Sequence, residues 1–275
     1  DMYIILGDLD AALASLTDAL PATKAHADPI SYISCCSNLG EIYKLQSAFD
    51  TSREWLDKGL VEYKKVSTKI EDVTILSRLL GRLASLDVDI GDLENAEKVF
   101  TELEKHIGKG EYPMEQAIFY GNCGVLFLRK GDLDKASKLF EAQFAICEKY
   151  DYTNLRIMCL NNWGVIDNRQ GKYEESIKKF TMLIEMNEKM GNRGGTANAY
   201  GNMSTVYIKL KDYENGIKYL HITLSIFDKI NNKMGAITVH NNLGWLQLEL
   251  GDYEKAIEHC KTALSINEKL KIPVS

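Results

Sequence analysis

GDLENA at residues 91–96, GDLDKA at 131–136, GKYEES at 171–176, KDYENG at 211–216 and GDYEKA at 251–256 are one word repeated at a strict interval of 40 residues. Two earlier copies, GDLDAA at 7–12 and SAFDTS at 47–52, are themselves 40 apart, with 44 residues from Ser47 to Gly91. The word has the chemistry of a helix junction. Glycine ends one helix in a left-handed turn, and the acidic residue after it caps the N-terminus of the next. Upstream lies an apolar helix with a small residue near its centre: NLGEIY from Asn38, NCGVLF from Asn122, NWGVID from Asn162, NMSTVY from Asn202 and NLGWLQ from Asn242. Downstream the apolar residues recur at helical spacing, as in Ala136, Leu139, Phe140 and Phe144, or Ser176, Ile177, Phe180, Leu183 and Ile184.

Each unit is therefore predicted to be helix, turn, helix. The small residues Ala12, Ser52, Ala96, Ala136, Ser176, Gly216 and Ala256 hold one register position, which marks where the two helices of a pair touch. The expected fold is all-α, one domain over 1–275 built of about seven units: roughly 1–24 (partial), 25–69, 70–109, 110–149, 150–189, 190–229 and 230–272. A lone pair cannot bury its apolar face, so units must stack, and such a stack needs polar caps. The chain starts inside a first helix and stops soon after Leu270 without a solvating helix, so a longer parent with further domains on both sides is expected.

Composition agrees. Of 275 residues, 45% are hydrophobic, enough for a core, and four prolines leave long stretches free to be helical. The net charge of -6 disfavours a direct nucleic-acid binder, which needs a clustered positive surface. Cys35, Cys36, Cys123, Cys147, Cys159 and Cys260 lack both zinc-site spacing and a small secreted scaffold, so they are read as reduced core thiols. No apolar run reaches the ~18 residues of a membrane span and no secretion signal opens the chain, which makes the cytoplasm the expected location. Phosphate loop, GxSxG elbow and HExxH helix are all missing; GKG at 108–110 is too short to cradle phosphate. His26, His106, His221, His240 and His259 are scattered without ligand spacing. No enzyme, cofactor or metal is expected.

The repeat resembles the tetratricopeptide repeat, in which the first helix carries an aromatic, then Leu-Gly, then Tyr, and the second carries Ala, then Phe. Leu39, Gly40 and Tyr43, then Trp163 and Gly164, then Leu243, Gly244 and Ala256 match best, and the likeness covers essentially the whole chain. Where the usual unit has about 34 residues this one has 40, as in the repeats of kinesin light chains, the adaptor Pins, Rap-type peptide sensors and MalT-like signalling ATPases. Arg82 in place of the recurring Asn, and Asp87 and Asp167 in place of the Tyr, depart from the pattern. The resemblance implies a right-handed α-solenoid that binds protein without catalysis. It also places Asn38, Arg78 and Arg82 at three of five positions of the clamp by which some relatives grip acidic C-terminal tails.

Stacking would put the first helices on a concave wall, and helical geometry selects one stripe of each to face the groove. The stripe reads Ile118, Asn122, Val125, Arg129; then Met158, Asn162, Val165, Arg169; then Asn198, Asn202, Thr205, Lys209; then Thr238, Asn242, Trp245, Glu249. Two ladders emerge. Asn122, Asn162, Asn202 and Asn242, thickened by Asn161, Asn198 and Asn241, offer paired donors and acceptors suited to an extended main chain, or else brace neighbouring helices. Arg129, Arg169 and Lys209 point to an anionic partner, or else pair with nearby acids. The expected function is a scaffold binding an extended acidic peptide. The alternative is a ligand- or peptide-sensing domain of a signalling ATPase or transcription regulator.

Overall fold

In the computed structural model, which describes residues 9–25, 28–66, 73–107 and 112–270, every regular element is a helix. The thirteen helices among the described residues are α1 (Leu9–Ala25), α2 (Pro29–Leu45), α3 (Phe49–Val66), α4 (Val73–Ile90), α5 (Leu93–Ile107), α6 (Pro113–Lys130) and α7 (Leu133–Lys149), followed by α8 (Thr153–Arg169), α9 (Tyr173–Lys189), α10 (Arg193–Lys209), α11 (Tyr213–Lys229), α12 (Lys233–Glu249) and α13 (Tyr253–Leu270). The start of the partial first unit, including Gly7, and the GKG at 108 lie outside the described residues. Contacts divide the chain into two compact units, Asp1–Leu155 and Arg156–Ser275.

Asp92, Asp132, Asp212 and Asp252 each cap the helix that follows by accepting a backbone N–H, whereas Lys172 caps without a side-chain hydrogen bond. Gly131 takes φ of 82°, its N–H and that of Asp132 bond back to Leu128 and Phe127, and Asp132 Oδ1 accepts the Lys135 N–H at 3.0 Å. One dipeptide thus closes α6 and opens α7. Gly91, Gly171 and Gly251 are also left-handed. Lys211 holds that conformation at φ of 62° without glycine's freedom, at a cost of about 1 kcal/mol.

In the first unit α2 packs on α3, α4 on α5 and α6 on α7, and each pair adjoins the next through α3 with α4 and α5 with α6. First helices also meet directly, α2 with α4 and α4 with α6. In the second unit α9 packs on α10, α10 on α11, α11 on α12 and α12 on α13. Its core joins Ala197, Leu220, Phe227, Val239, Leu243 and Leu246, with Tyr213, Ile217 and Leu224 packed against it.

The crossing inside each pair is as tight as the small residues require. Ala96, Ala136, Ser52 and Ser176 are fully buried. Ser52 Oγ donates to the carbonyl of Gly40, and Ser176 Oγ to that of Gly164, each at 2.7 Å. A Cβ on Gly124 would come within 2.7 Å of the Phe140 ring, and one on Gly164 within 2.8 Å of Phe180. Both rings are buried, so neither has room to retreat.

Five of the six thiols are buried, as expected, but Cys260 is exposed. It lies with Tyr253, Ile257 and Leu264 on a row of α13 that is open to solvent, whereas the matching row of α11, with Leu220 at its centre, is covered by Val239, Leu243 and Leu246 of α12. The two aspartates that break the repeat pattern are also buried. Asp87 accepts from Asn95 Nδ2 at 2.6 Å and pairs with Arg53, while Asp167 pairs with Lys179 Nζ at 2.5 Å. That ammonium also stands 4.0 Å from the centre of the Trp163 ring. One repeat on, the positions of Asp167 and Lys179 are held by Tyr207 and Tyr219, whose rings stack 5.2 Å apart.

Two stability predictions follow from this packing. Lys211→Gly raises stability by about 1 kcal/mol in denaturant unfolding, because the left-handed strain is relieved. Lys179→Met removes the partner of buried Asp167 and costs about 3–5 kcal/mol, whereas the double variant D167Y/K179Y, which copies the next repeat, stays within about 1.5 kcal/mol of the parent.

Candidate functional site

The stripe residues are at the surface, in the register the repeat dictates. In the first unit Asn122 is half-buried on α6, its side chain makes no hydrogen bond among the described residues, and its amide lies over Gly81 of α4, 3.8 Å from where a Cβ would be. Val125 is half-buried, and Ile118 and Arg129 are exposed.

The second unit carries the rest. Asn161, Asn162, Val165 and Asn202 are half-buried; Met158, Arg169, Asn198, Thr205, Lys209, Thr238, Asn241, Asn242, Trp245 and Glu249 are exposed. Met158 leaves 60% of its surface in solvent and Trp245 leaves 51%, a large apolar exposure beside amides. Asn202 Nδ2 donates to Asn161 Oδ1 at 2.9 Å, which ties α10 to α8, and Asn161 Nδ2 reaches Asn162 Oδ1 at the long distance of 3.5 Å. Asn198, Asn241 and Asn242 make no such bonds among the described residues. The amides therefore divide: Asn161 and Asn202 brace neighbouring helices, Asn162 accepts weakly from Asn161, and Asn122, Asn198, Asn241 and Asn242 keep their side-chain donors and acceptors free.

The cations behave differently from their neighbours. Lys130 pairs with Glu97, Lys178 with Glu175 at 2.8 Å and Lys179 with Asp167. Arg129, Arg169 and Lys209 have no acidic partner among the described residues.

The clamp positions are another matter. Arg82 Nη1 donates to Asn38 Oδ1 at 2.9 Å and to Ser37 Oγ at 2.8 Å, and Arg82 Nε faces Glu41 at 3.6 Å. Burial lowers the Arg82 pKa to about 10. Glu41 also pairs with Lys44 at 3.1 Å, and Lys44 Nζ reaches Ser85 Oγ at 3.0 Å, so a polar seam joins α2 to α4. Asn38 and Arg82 hold each other and are not presented to a ligand, and Arg78 stands exposed without them.

The sequence reading missed one cluster. His221 on α11, His240 on α12 and His259 on α13, taken above as scattered, lie together in the second unit. The Nδ1 atoms of His240 and His259 are 3.1 Å apart, and the rings of His221 and His259 are 6.5 Å apart. Burial, then His259 and His221, lower the His240 pKa against an opposing pull from Asp228; burial, then His221, lower that of His259 against Glu258. The signal was the spacing of 19, about half a repeat, which carries a residue onto the facing helix. Tyr200 and Tyr219 have the same spacing, and their rings stack 5.8 Å apart one repeat earlier. Among the described residues no group of three or more His, Cys, Asp or Glu side chains is arranged to hold a metal ion, and no helix is long and apolar enough to cross a membrane.

Comparison with known proteins places the class. A model of the tetratricopeptide repeat matches residues 195–269. No curated protein matches. Among solved structures, BtubC (BKLC) from P. vanneervenii is similar at 18% identity over 83% of this chain and 94% of its own, with a TM-score of 0.70. A signal transduction ATPase with numerous domains and a tetratricopeptide repeat sensor, from Pyrococcus horikoshii, is also 18% identical, with a TM-score of 0.75; the likeness covers 88% of this chain and 36% of that one. The apo form of RapI is 14% identical over 98% of this chain and 95% of its own, with a TM-score of 0.71. At these identities the likeness is one of fold. The fold is that of a tetratricopeptide-repeat array, and residues 195–269 carry the repeat's own pattern.

Removing the inward-tied arginine tests the structural assignment of the seam. Arg82→Met lowers stability by about 1–3 kcal/mol in chemical denaturation, since Ser37, Asn38 and Glu41 lose their donor, and Arg78→Glu changes it by less than about 0.5 kcal/mol.

Proposed function

We propose that this chain is a protein-interaction scaffold whose first-helix faces hold an extended, acidic segment of another polypeptide. The observation that carries the reading is the pairing state of Arg169 and Lys209: both are exposed and neither has an acidic partner among the described residues, in a chain with 39 acids. A cation left open among so many carboxylates is available to one supplied from outside, and the arginine offers a bidentate fork. Free amides at Asn198, Asn241 and Asn242 suit a peptide backbone, because a carboxamide answers both its N–H and its C=O. Trp245 and Met158 supply apolar surface of the kinds enriched at interfaces. Arg129 and Asn122 repeat the arrangement within the first unit.

No catalytic role is assigned, and the negative net charge makes nucleic acid a poor partner. A second reading, a sensor domain of a larger signalling protein, is favoured by the Pyrococcus horikoshii structure, of which this fold makes up about a third. The same surface would then take a signal peptide or small ligand.

The test is fluorescence anisotropy with labelled, unstructured glutamate-rich peptides. The wild-type chain binds them with an affinity that falls as salt rises, and Arg169→Glu with Lys209→Glu weakens binding by about 10- to 100-fold while helicity is unchanged. Arg129→Glu tests the first unit separately. Equal binding by the reversed chain, or an affinity indifferent to salt, refutes the acidic-peptide reading.

A further inference from the structure

The locus that pairs Tyr200 with Tyr219 in one repeat pairs His240 with His259 in the next. Two stacked phenols are a packing solution; two imidazoles with nitrogens facing are a chemical one. Both histidines are half-buried between α12 and α13, and burial, with the neighbouring imidazoles, favours the neutral ring in each.

Their facing nitrogens are 3.1 Å apart. Two imidazole nitrogens bound to one ion at 2.0–2.1 Å stand about 3.3 Å apart in tetrahedral geometry and about 2.9 Å apart in square geometry. The observed distance falls between these, so an ion fits with a small ring rotation. We propose that His240 and His259 form a two-imidazole chelate for a divalent transition cation of the zinc, nickel and copper class, linking the two helices of the last pair through Nδ1.

The proton balance is simple. In the free pair one Nδ1–H donates to the other Nδ1. On binding, that proton moves to the Nε2 of its own ring, and both Nδ1 lone pairs face the cation. Waters complete the coordination, since no third protein group closes the set among the described residues. The ring of His221, 6.5 Å from that of His259, stays outside it. A bound ion ties α12 to α13, and α12 also carries Asn241, Asn242 and Trp245. Because the cation binds the folded pair, it stabilises that pair by mass action.

The preceding repeat supplies the control. The double variant H240Y/H259Y restores the tyrosine pair found at Tyr200 and Tyr219 and so retains the fold. Titration with zinc chloride by calorimetry gives saturable one-to-one binding to the wild-type chain, and zinc raises its Tm. His240→Ala and His259→Ala each weaken binding by at least about tenfold, H240Y/H259Y abolishes both the binding and the Tm shift, and His221→Ala binds as the wild type does. The proposal is overturned by a wild-type chain that does not titrate, by a Tyr–Tyr variant that binds zinc with undiminished affinity, or by loss of binding on removing His221.

Discussion

The contact on which everything else rests is the crossing of the two helices within a pair. At that point a small residue of the second helix meets the backbone of the first closely enough for a hydroxyl to reach a carbonyl, as Ser52 does to Gly40 and Ser176 to Gly164. The ring four residues on, Phe180, fills the space beside the same glycine. Close approach lets the flanking Leu, Ile and Phe side chains bury their whole surface, and area removed from water is the main stabilising term at about 25 cal/mol per Å². Glycine here is a requirement of distance and not of backbone freedom.

Once the crossing is set, the junction follows from local chemistry. A left-handed residue and an N-capping side chain turn the backbone with its hydrogen bonds satisfied, and the next helix begins at a fixed offset. The locus that joins the pair can then vary without disturbing the frame. An ion pair, Asp167 with Lys179, occupies it in one repeat and stacked tyrosines 207 and 219 in the next, and in the last repeat the same register positions are held by Gln247 and His259. Each solution satisfies the same space in its own way, and each gives the repeat a different chemical character.

Much of this was legible in the chain. The recurring word located the turns, the small residues marked the crossings, and the amphipathic spacing separated core from surface, because all three are properties of short segments repeated in register. The candidate surface was legible only in outline. Periodicity showed that Asn162, Asn202 and Asn242 share one register position, but not that Asn202 bonds to Asn161 and leaves Asn242 free. The clamp motif at Asn38, Arg78 and Arg82 looked functional as a string, and proximity in space turned two of its members toward each other.

The sequence by itself determined the class of fold, the positions of the helices and the register of the exposed stripe, since these depend on local propensity, capping and a 40-residue period. Tertiary structure alone decided which polar groups are spent on neighbours and which stay available. Arg82 is tied inward, while Arg169 and Lys209 have no acidic partner among the described residues. It also decided that histidines 19 residues apart face one another across a helix pair. The reason is physical: whether a side chain is free depends on distances between segments far apart in the chain, and those distances exist only once the helices have packed.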